Sequence, residues 1–385
     1  MKQSLKTVLF SLVLNQIEKK EIEQRVKNLI DEEMLNSLYA LSKGHDLAHL
    51  VGNALEKNGL LKKSESLTGK FLKERDLAVF RCSQRIYDFS LICNVFEEAG
   101  IDFLPLKGVV ISPLYPEPWM RTGCDIDVLV KESDLDFAIN VLKNKAEFTT
   151  NGLKTVHDIS LFSKLGTRLE LHFTLTGSKS ESNLTNVWSN AILKEGYKHW
   201  YLLTGDIFYL YHIKHMADHF KEGGCGIKPF IDLWLLYKNT DIRTKSLNLI
   251  KAEGFEKFES TIFNLVEAWF NGKELDETEK RVENYVVRGG TYGSISNRVA
   301  LHQNKKGGKV KFLLYRVFMP YNELIVKYPR LKKCPLLFPF YTIKRWCNLL
   351  NRKTRKNSLN ELKKTVEVNG QNKQEILKIL KDLDI

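Results

Sequence analysis

Asp125 and Asp127 stand two residues apart at the start of an apolar run, Asp125-Ile126-Asp127-Val128-Leu129-Val130. Such a run reads as a strand, where side chains alternate, so both carboxylates share one face and Ile126 points to the other. Mg2+ takes hard oxygen ligands from one or two carboxylates and fills its shell with water and substrate phosphates. A lone D-x-D is read equally well as a solvated strand end.

Two flanking features add weight to the metal reading. Eighteen residues upstream, Lys107 lies in Leu106-Lys107-Gly108, a strand end, a cation and a glycine leading into a helix. That is how a chain offers positive charge and backbone N–H groups to a phosphate. Downstream, Arg168-Leu169-Glu170-Leu171-His172-Phe173 alternates, with Glu170 and His172 opposite the apolar positions. A third carboxylate beside the first two suits a two-metal centre, in which one ion activates the attacking oxygen and the other steadies the leaving phosphate. Arg121, four residues before Asp125, either neutralises a triphosphate or pairs with the aspartates. Tyr115 and Trp119 flank Pro116 and Pro118 and are expected to pack in the core.

His212, His215 and His219 recur at helical spacing, with Asp232 on the next segment after Gly223-Gly224-Cys225-Gly226. A metalloprotease is excluded, because Met216 rather than Glu follows His215 and no third ligand is evident. Three readings stay open for His215 and His219: substrate or phosphate contact near a cleft, polar pairing with Asp232, and metal binding.

At these residues the chain resembles the uncharacterised nucleotidyltransferase family of the DNA polymerase β superfamily. The resembling positions are Leu106-Lys107-Gly108, Tyr115, Arg121, Asp125-Ile126-Asp127, Glu170-Leu171-His172, His215, His219 and Asp232, over roughly residues 75 to 240. The resemblance implies that Asp125 and Asp127 bind two Mg2+ ions and that Glu170 is the third carboxylate and base toward an acceptor hydroxyl. The candidates for the phosphates of a nucleoside triphosphate such as ATP are Lys107, Gly108 and Arg121, and the candidates for the substrate cleft are His172, His215, His219 and Asp232. The acceptor is left unspecified. One departure stands out, since Gly108-Val109 replaces the superfamily's usual Gly-Gly or Gly-Ser.

The elements that must position these groups follow from periodicity. Apolar residues at three and four residue spacing make residues 1–74 a helical region, and a long helix from about Asp76 to Glu98 ends at Gly100. Residues 75–180 then alternate strands and helices as a small mixed sheet. Within it, Ser133 and Asp136 approximate a capping box for a helix over Leu135–Lys145, and Val156–Ser163 pairs with Arg168–Phe173 as a hairpin around Gly166. From Ser180 onward helical patterns persist, giving a helical domain over 181–300 that completes the cleft and a basic, aromatic helical region over 301–385. The expected fold class is α+β, with a polymerase β-like core embedded between helical regions.

Composition bounds the rest. With 43% hydrophobic and 27% charged residues among 385, the chain is neither collagenous, coiled-coil nor disordered. Six cysteines without a C-x-x-C pair argue against disulfides and structural zinc. The apolar stretch Val8–Leu14 is too short and too quickly followed by charge for a signal peptide, and a cytoplasmic protein is expected. Of the net charge of +13, ten units fall between Lys327 and Lys356, where no acid occurs. Ile343, Trp346, Cys347 and Leu350 form an apolar stripe among Lys344, Arg345, Arg352, Lys353, Arg355 and Lys356. The stripe either packs on the helical domain or brings residues 327–356 to an anionic membrane surface or nucleic acid.

Two other functions compete with nucleotidyl transfer. A glycosyltransferase also uses D-x-D, but expects several βα units before it, where this chain has helices and one strand. A nucleotide- or nucleic-acid-binding protein on the same fold would have no need of three carboxylates.

Overall fold

The computed structural model describes residues 3–61, 65–175, 184, 186–348 and 370–385. Two compact units divide it, Met1–His215 with Ile227–Glu274, and Met216–Gly226 with Leu275–Ile385.

The first unit opens with helices α1 (Gln3–Glu18), α2 (Glu32–Gly44), α3 (Ala48–Lys57) and α4 (Glu65–Ala99). Asp31 starts α2 by accepting a hydrogen bond from the Met34 N–H. The long α4 begins earlier than its periodicity suggests and stops at Gly100, whose φ of +69° is the left-handed position expected there.

Next come β1 (Phe103–Leu106), the one-turn helix α5 (Gly108–Ile111), β2 (Asp125–Val130), α6 (Leu135–Lys145), β3 (Thr149–Lys154), β4 (Asp158–Phe162) and β5 (Arg168–His172). They form one five-stranded sheet in the order β1-β2-β5-β4-β3, so the architecture is α+β with a mixed sheet. Only β2 and β5 run parallel; the other neighbours are antiparallel. Ile126, Val128, Leu169, Leu171, Ile159 and Leu161 point to one face and pack against Ile92 and Phe96 of α4 and Ala138 and Leu142 of α6. Burying each such side chain is worth about 1.5–3 kcal/mol, and a one-residue slip would turn the whole set to the wrong face. Register is thereby locked, and the polar residues are held on the opposite face.

The expected hairpin forms as β4 and β5, with Gly166 in the turn at φ +86°. Two local expectations fail, and one strand was not anticipated. The Ser133 cap is not made, because Asp134 is the residue preceding α6 and a 3-10 turn, Glu132–Asp134, leads into it. Strand β3 was hidden by the Asn151-Gly152 pair, and its ladder with β4 shifts register between Thr150 and Lys154. Residues after Ser180 are not all helical, since β6 (Ala191–Leu193) and β7 (Tyr201–Leu203) form a two-stranded ribbon around Gly196. Helices α7 (Gly205–Glu222), α8 (Lys228–Tyr237) and α9 (Glu256–Asn271) follow.

The second unit is helical. Asp276 and Glu279 make a reciprocal capping box at the start of Glu277–Gly289, and Arg281 of that helix pairs with Asp382 of the helix Gly370–Asp382 at 3.1 Å. Toward the C-terminus, Leu324, Leu331 and Tyr341 form a small apolar core under the helix Phe338–Asn348. Ile343, Trp346 and Cys347 of that helix are all exposed, and the Trp346 indole donates to the Val317 carbonyl at 2.9 Å. Leu350, Arg352, Lys353, Arg355 and Lys356 lie outside the described residues.

Candidate active site

The polar face of the sheet carries a row of charged groups set by register. Leu106 is opposite Asp127, Asp127 is opposite Glu170, and Asp158 is opposite His172, so adjacent strands deliver their polar side chains to one stripe. Lys107 follows β1 and places Nζ 2.7 Å from Asp127 Oδ1. The same oxygen is 3.0 Å from His172 Nε2, which also approaches Glu170 Oε2 at 3.7 Å. Asp127, Glu170 and His172 each offer a donor atom within 4.8 Å of the others. On its outer side Glu170 receives Arg168 Nη2 at 2.9 Å, and Arg168 in turn donates to Ser160 Oγ.

Crowding of the carboxylates governs their protonation. Burial, and then the Asp127 charge beside it, raises the Asp125 pKa. Glu170 is raised in the same way by burial and then by Asp127 and Asp125. Burial also opposes ionisation of Asp127, but Lys107 and His172 outweigh it and hold this carboxyl well below its usual range. For Lys107, burial disfavours the ammonium, while Tyr211, Asp127 and Glu170 prevail and raise its pKa. Three acids thus share one close lysine, and two of them hold their protons more tightly than free carboxylates do. Oxygen donors in that condition fit a hard divalent cation, which would relieve the repulsion that raises them.

Lys107 adopts φ +46°, a conformation costly for a residue with a side chain. Immediately after it, Gly108 gives Arg121 room, because a Cβ there would lie 2.7 Å from Arg121 Nη1. The glycine in this motif therefore serves side-chain packing as well as the turn.

Arg121 does not reach Asp125 or Asp127 as its hydrogen-bonded partner. Its guanidinium forks onto Asp232, with Nε 2.9 Å from Oδ1 and Nη2 2.8 Å from Oδ2, and the Tyr115 hydroxyl adds a bond of 2.8 Å to Oδ1. All three are buried. Burial opposes the Asp232 charge, yet Arg121 keeps its pKa low. Further contacts clamp the loop leading to β2. His49 Nε2 donates to the Met120 carbonyl at 2.7 Å, Arg85 to that of Arg121 at 3.1 Å, and Lys228 to that of Thr122 at 3.0 Å. The Thr122 hydroxyl bonds Asp46 at 2.6 Å. Helices α3, α4 and α8 thus fix the approach to the two aspartates.

Among the residues singled out by sequence, Lys107, Asp127, Glu170 and His172 come together on the sheet face, whereas Asp125, two residues back along β2 on the same face, is in neither of the metal-donor groups found among the described residues. Arg121, Tyr115 and Asp232 form a separate buried cluster, with His212 nearby on α7, where it contacts the Pro229 carbonyl at 3.0 Å. His215 has its ring 6.3 Å from that of Tyr211, and neither His215 nor His219 belongs to the metal-donor groups found among the described residues. His215 falls in the first unit and His219 in the second. Arg168, His157 and Asp158 were not anticipated. Arg168 was readable, since it alternates onto the Glu170 face of β5, whereas His157 and Asp158 come near His172 only through the hairpin register. A cavity of about 500 Å3 lies elsewhere in the first unit, lined by residues including Glu18, Trp234 and Lys238. Glu18 there accepts from both Trp234 and Lys238, so its polar groups already satisfy one another.

No curated protein matches the chain. Residues 31–271 match the sequence model of a family described as an uncharacterised nucleotidyltransferase, a span that holds the whole sheet and every residue of the acid row. With well over half its length matched, the chain belongs to that nucleotidyltransferase family.

Proposed function

We propose that this protein is a Mg2+-dependent enzyme with a polymerase β-like core that moves a nucleoside monophosphate from a nucleoside triphosphate to an acceptor. The observation that carries this reading is the pairing of Asp127 with Glu170 across parallel strands, two residues along from Asp125, beside the Lys107 ammonium. Two Mg2+ ions on Asp125, Asp127 and Glu170 would supply a lowered pKa at the attacking oxygen and charge neutralisation at the leaving pyrophosphate. Asp125 and Asp127 hold that charge in place from one rigid strand. Glu170, raised in pKa and only partly buried, accepts the proton of the acceptor hydroxyl. Lys107, once its hold on Asp127 is shared, presents its ammonium to the triphosphate. Arg121 acts at a distance by keeping the strand's approach fixed through Asp232.

The test is a panel of four α-labelled nucleoside triphosphates incubated with the full chain, Mg2+ and cell extract. Wild type should transfer label to an acceptor, whereas Asp125→Asn, Asp127→Asn and Glu170→Gln should each lose at least about a hundredfold in rate while staying folded. Equal labelling by wild type and all three variants overturns the assignment.

For the basic segment the reading is peripheral attachment to an anionic membrane. Leu336, Phe340 and Ile343 are 90%, 58% and 55% exposed, beside exposed Lys332, Lys333 and Lys344. Basic residues close to an anionic surface are worth about 1 kcal/mol each. Among the described residues no helix is long and apolar enough to cross a membrane. The protein should pellet with phosphatidylglycerol vesicles at low salt and be released as salt rises. Failure to pellet at low salt, or a gel shift with nucleic acid in its place, refutes attachment to the membrane.

A further inference from the structure

On the same sheet face, one strand beyond the acids, stands a second group of donors. Candidate ligand atoms of His157, Asp158 and His172 all lie within 4.8 Å of one another. Register brings them there: Asp158 and His172 are opposed across β4 and β5, and His157 is tied to the end of β5 by its carbonyl, which accepts from the Phe173 N–H at 3.0 Å. The two imidazoles lie almost parallel, centroids 5.9 Å apart and planes 14° from each other. His157 Nε2 is 3.0 Å from Asp158 Oδ2.

Asp158 supplies an independent observation. The residue is only 5% exposed, yet its Oδ1 has no hydrogen-bond partner. Buried carboxylate oxygens are almost always satisfied, since leaving one bare forfeits its solvation without return. A ligand that takes up the bare oxygen accounts for it.

The donor chemistry says which ligand. Two imidazole nitrogens with one carboxylate favour borderline ions such as Zn2+ and Co2+, whereas Mg2+ prefers oxygen alone. Three protein donors with His157 half open to solvent leave a coordination position for water or a substrate oxygen, as catalytic rather than structural zinc sites do. We propose that His157, Asp158 and His172 form a transition-metal site, of the Zn2+ class, separate from the oxygen-donor cluster of Asp125, Asp127 and Glu170. His172 belongs to both groups, since its Nε2 also contacts Asp127, so the two cation sites adjoin through one side chain.

This inference does not depend on nucleotidyl transfer, and its readout is binding. Zn2+ is titrated calorimetrically into the metal-stripped full chain in excess Mg2+, and Co2+ is added in parallel to read its visible ligand-field bands. Wild type should bind one tight equivalent that Mg2+ does not displace. His157→Ala, at a half-exposed position that tolerates truncation, and Asp158→Asn, close to isosteric, should each weaken that equivalent by about a hundredfold and shift the Co2+ spectrum. Asp125→Asn should leave it in place. Unchanged Zn2+ affinity in His157→Ala overturns the proposal even where Asp158→Asn fails to fold. Displacement of Zn2+ by Mg2+, or its loss in Asp125→Asn as completely as in His157→Ala, assigns the ion to the acid cluster and overturns it equally.

Discussion

Lys107 Nζ rests 2.7 Å from Asp127 Oδ1, so the one lysine at the end of β1 neutralises the most buried of the three acids. This pair, together with His172, explains why the Asp127 pKa is lowered while those of Asp125 and Glu170 are raised by burial and by the neighbouring carboxylate charge. Under the proposed mechanism the lysine would share Asp127 with a cation and turn to the phosphates of the substrate.

Lys107→Ala is accordingly expected to weaken nucleoside triphosphate binding by about tenfold, the value of one charge-assisted contact of roughly 1.4 kcal/mol. Mg2+ affinity without nucleotide should not fall, since a competitor for Asp127 has gone. Equilibrium binding of a labelled triphosphate at fixed Mg2+ measures the first quantity. An unchanged affinity would return Lys107 to a purely internal role.

The Arg121–Asp232 fork predicts a stability effect. Asp232→Asn leaves a buried guanidinium without its counter-charge, and removal of one partner of a buried pair costs about 3–5 kcal/mol. Thermal unfolding followed by circular dichroism should show a clear fall in the midpoint. Near-wild-type stability would mean that Arg121 finds another partner and that the fork does not hold the loop before β2.

Gly108 tests the same cluster from the other side. In Gly108→Ala the new methyl group would meet Arg121 Nη1 at 2.7 Å, and Arg121 is not free to yield while Asp232 holds it. A loss of about 1–3 kcal/mol is expected. Combined with Asp232→Asn the two losses should not add, because a released Arg121 can move aside. Strict additivity in a double-mutant cycle would place the strain elsewhere.

His49 is buried against the Met120 carbonyl, and burial pushes its pKa down to about 4. In the unfolded chain it titrates near 6.5, so between about pH 6.5 and 4 the unfolded state binds more protons than the folded one. Its contribution is therefore complete above about pH 6.5 and declines as pH falls toward 4, by up to about 3 kcal/mol. His49→Gln, which keeps a donor for Met120, should flatten that part of the stability curve in urea unfolding from pH 7.5 to 5. Parallel curves for the two proteins would refute the assignment.

Much of the acid row was legible in the sequence. Alternation on β2 and β5 is local, a consequence of the two-residue period of a strand, and it alone requires Asp125 with Asp127, and Glu170 with His172, to share a face. The later part of helix α4 and its stop at Gly100 were legible for the same reason, since period and cap lie within the segment itself, whereas its start at Glu65 was not. Ser133 misled because a cap depends on where the preceding turn closes, which a short pattern does not specify. What joined the strands was tertiary. Sheet order placed β5 between β2 and β4, and only that order sets His172 between Asp127 and the His157–Asp158 pair. Likewise the partner of Arg121 lies 111 residues away on α8, and the competition between nearby Asp125 and distant Asp232 was decided by the packing of that helix, which buries both ends of the fork. Periodicity fixes which way a side chain points; which charge waits there depends on contacts between segments far apart in the chain.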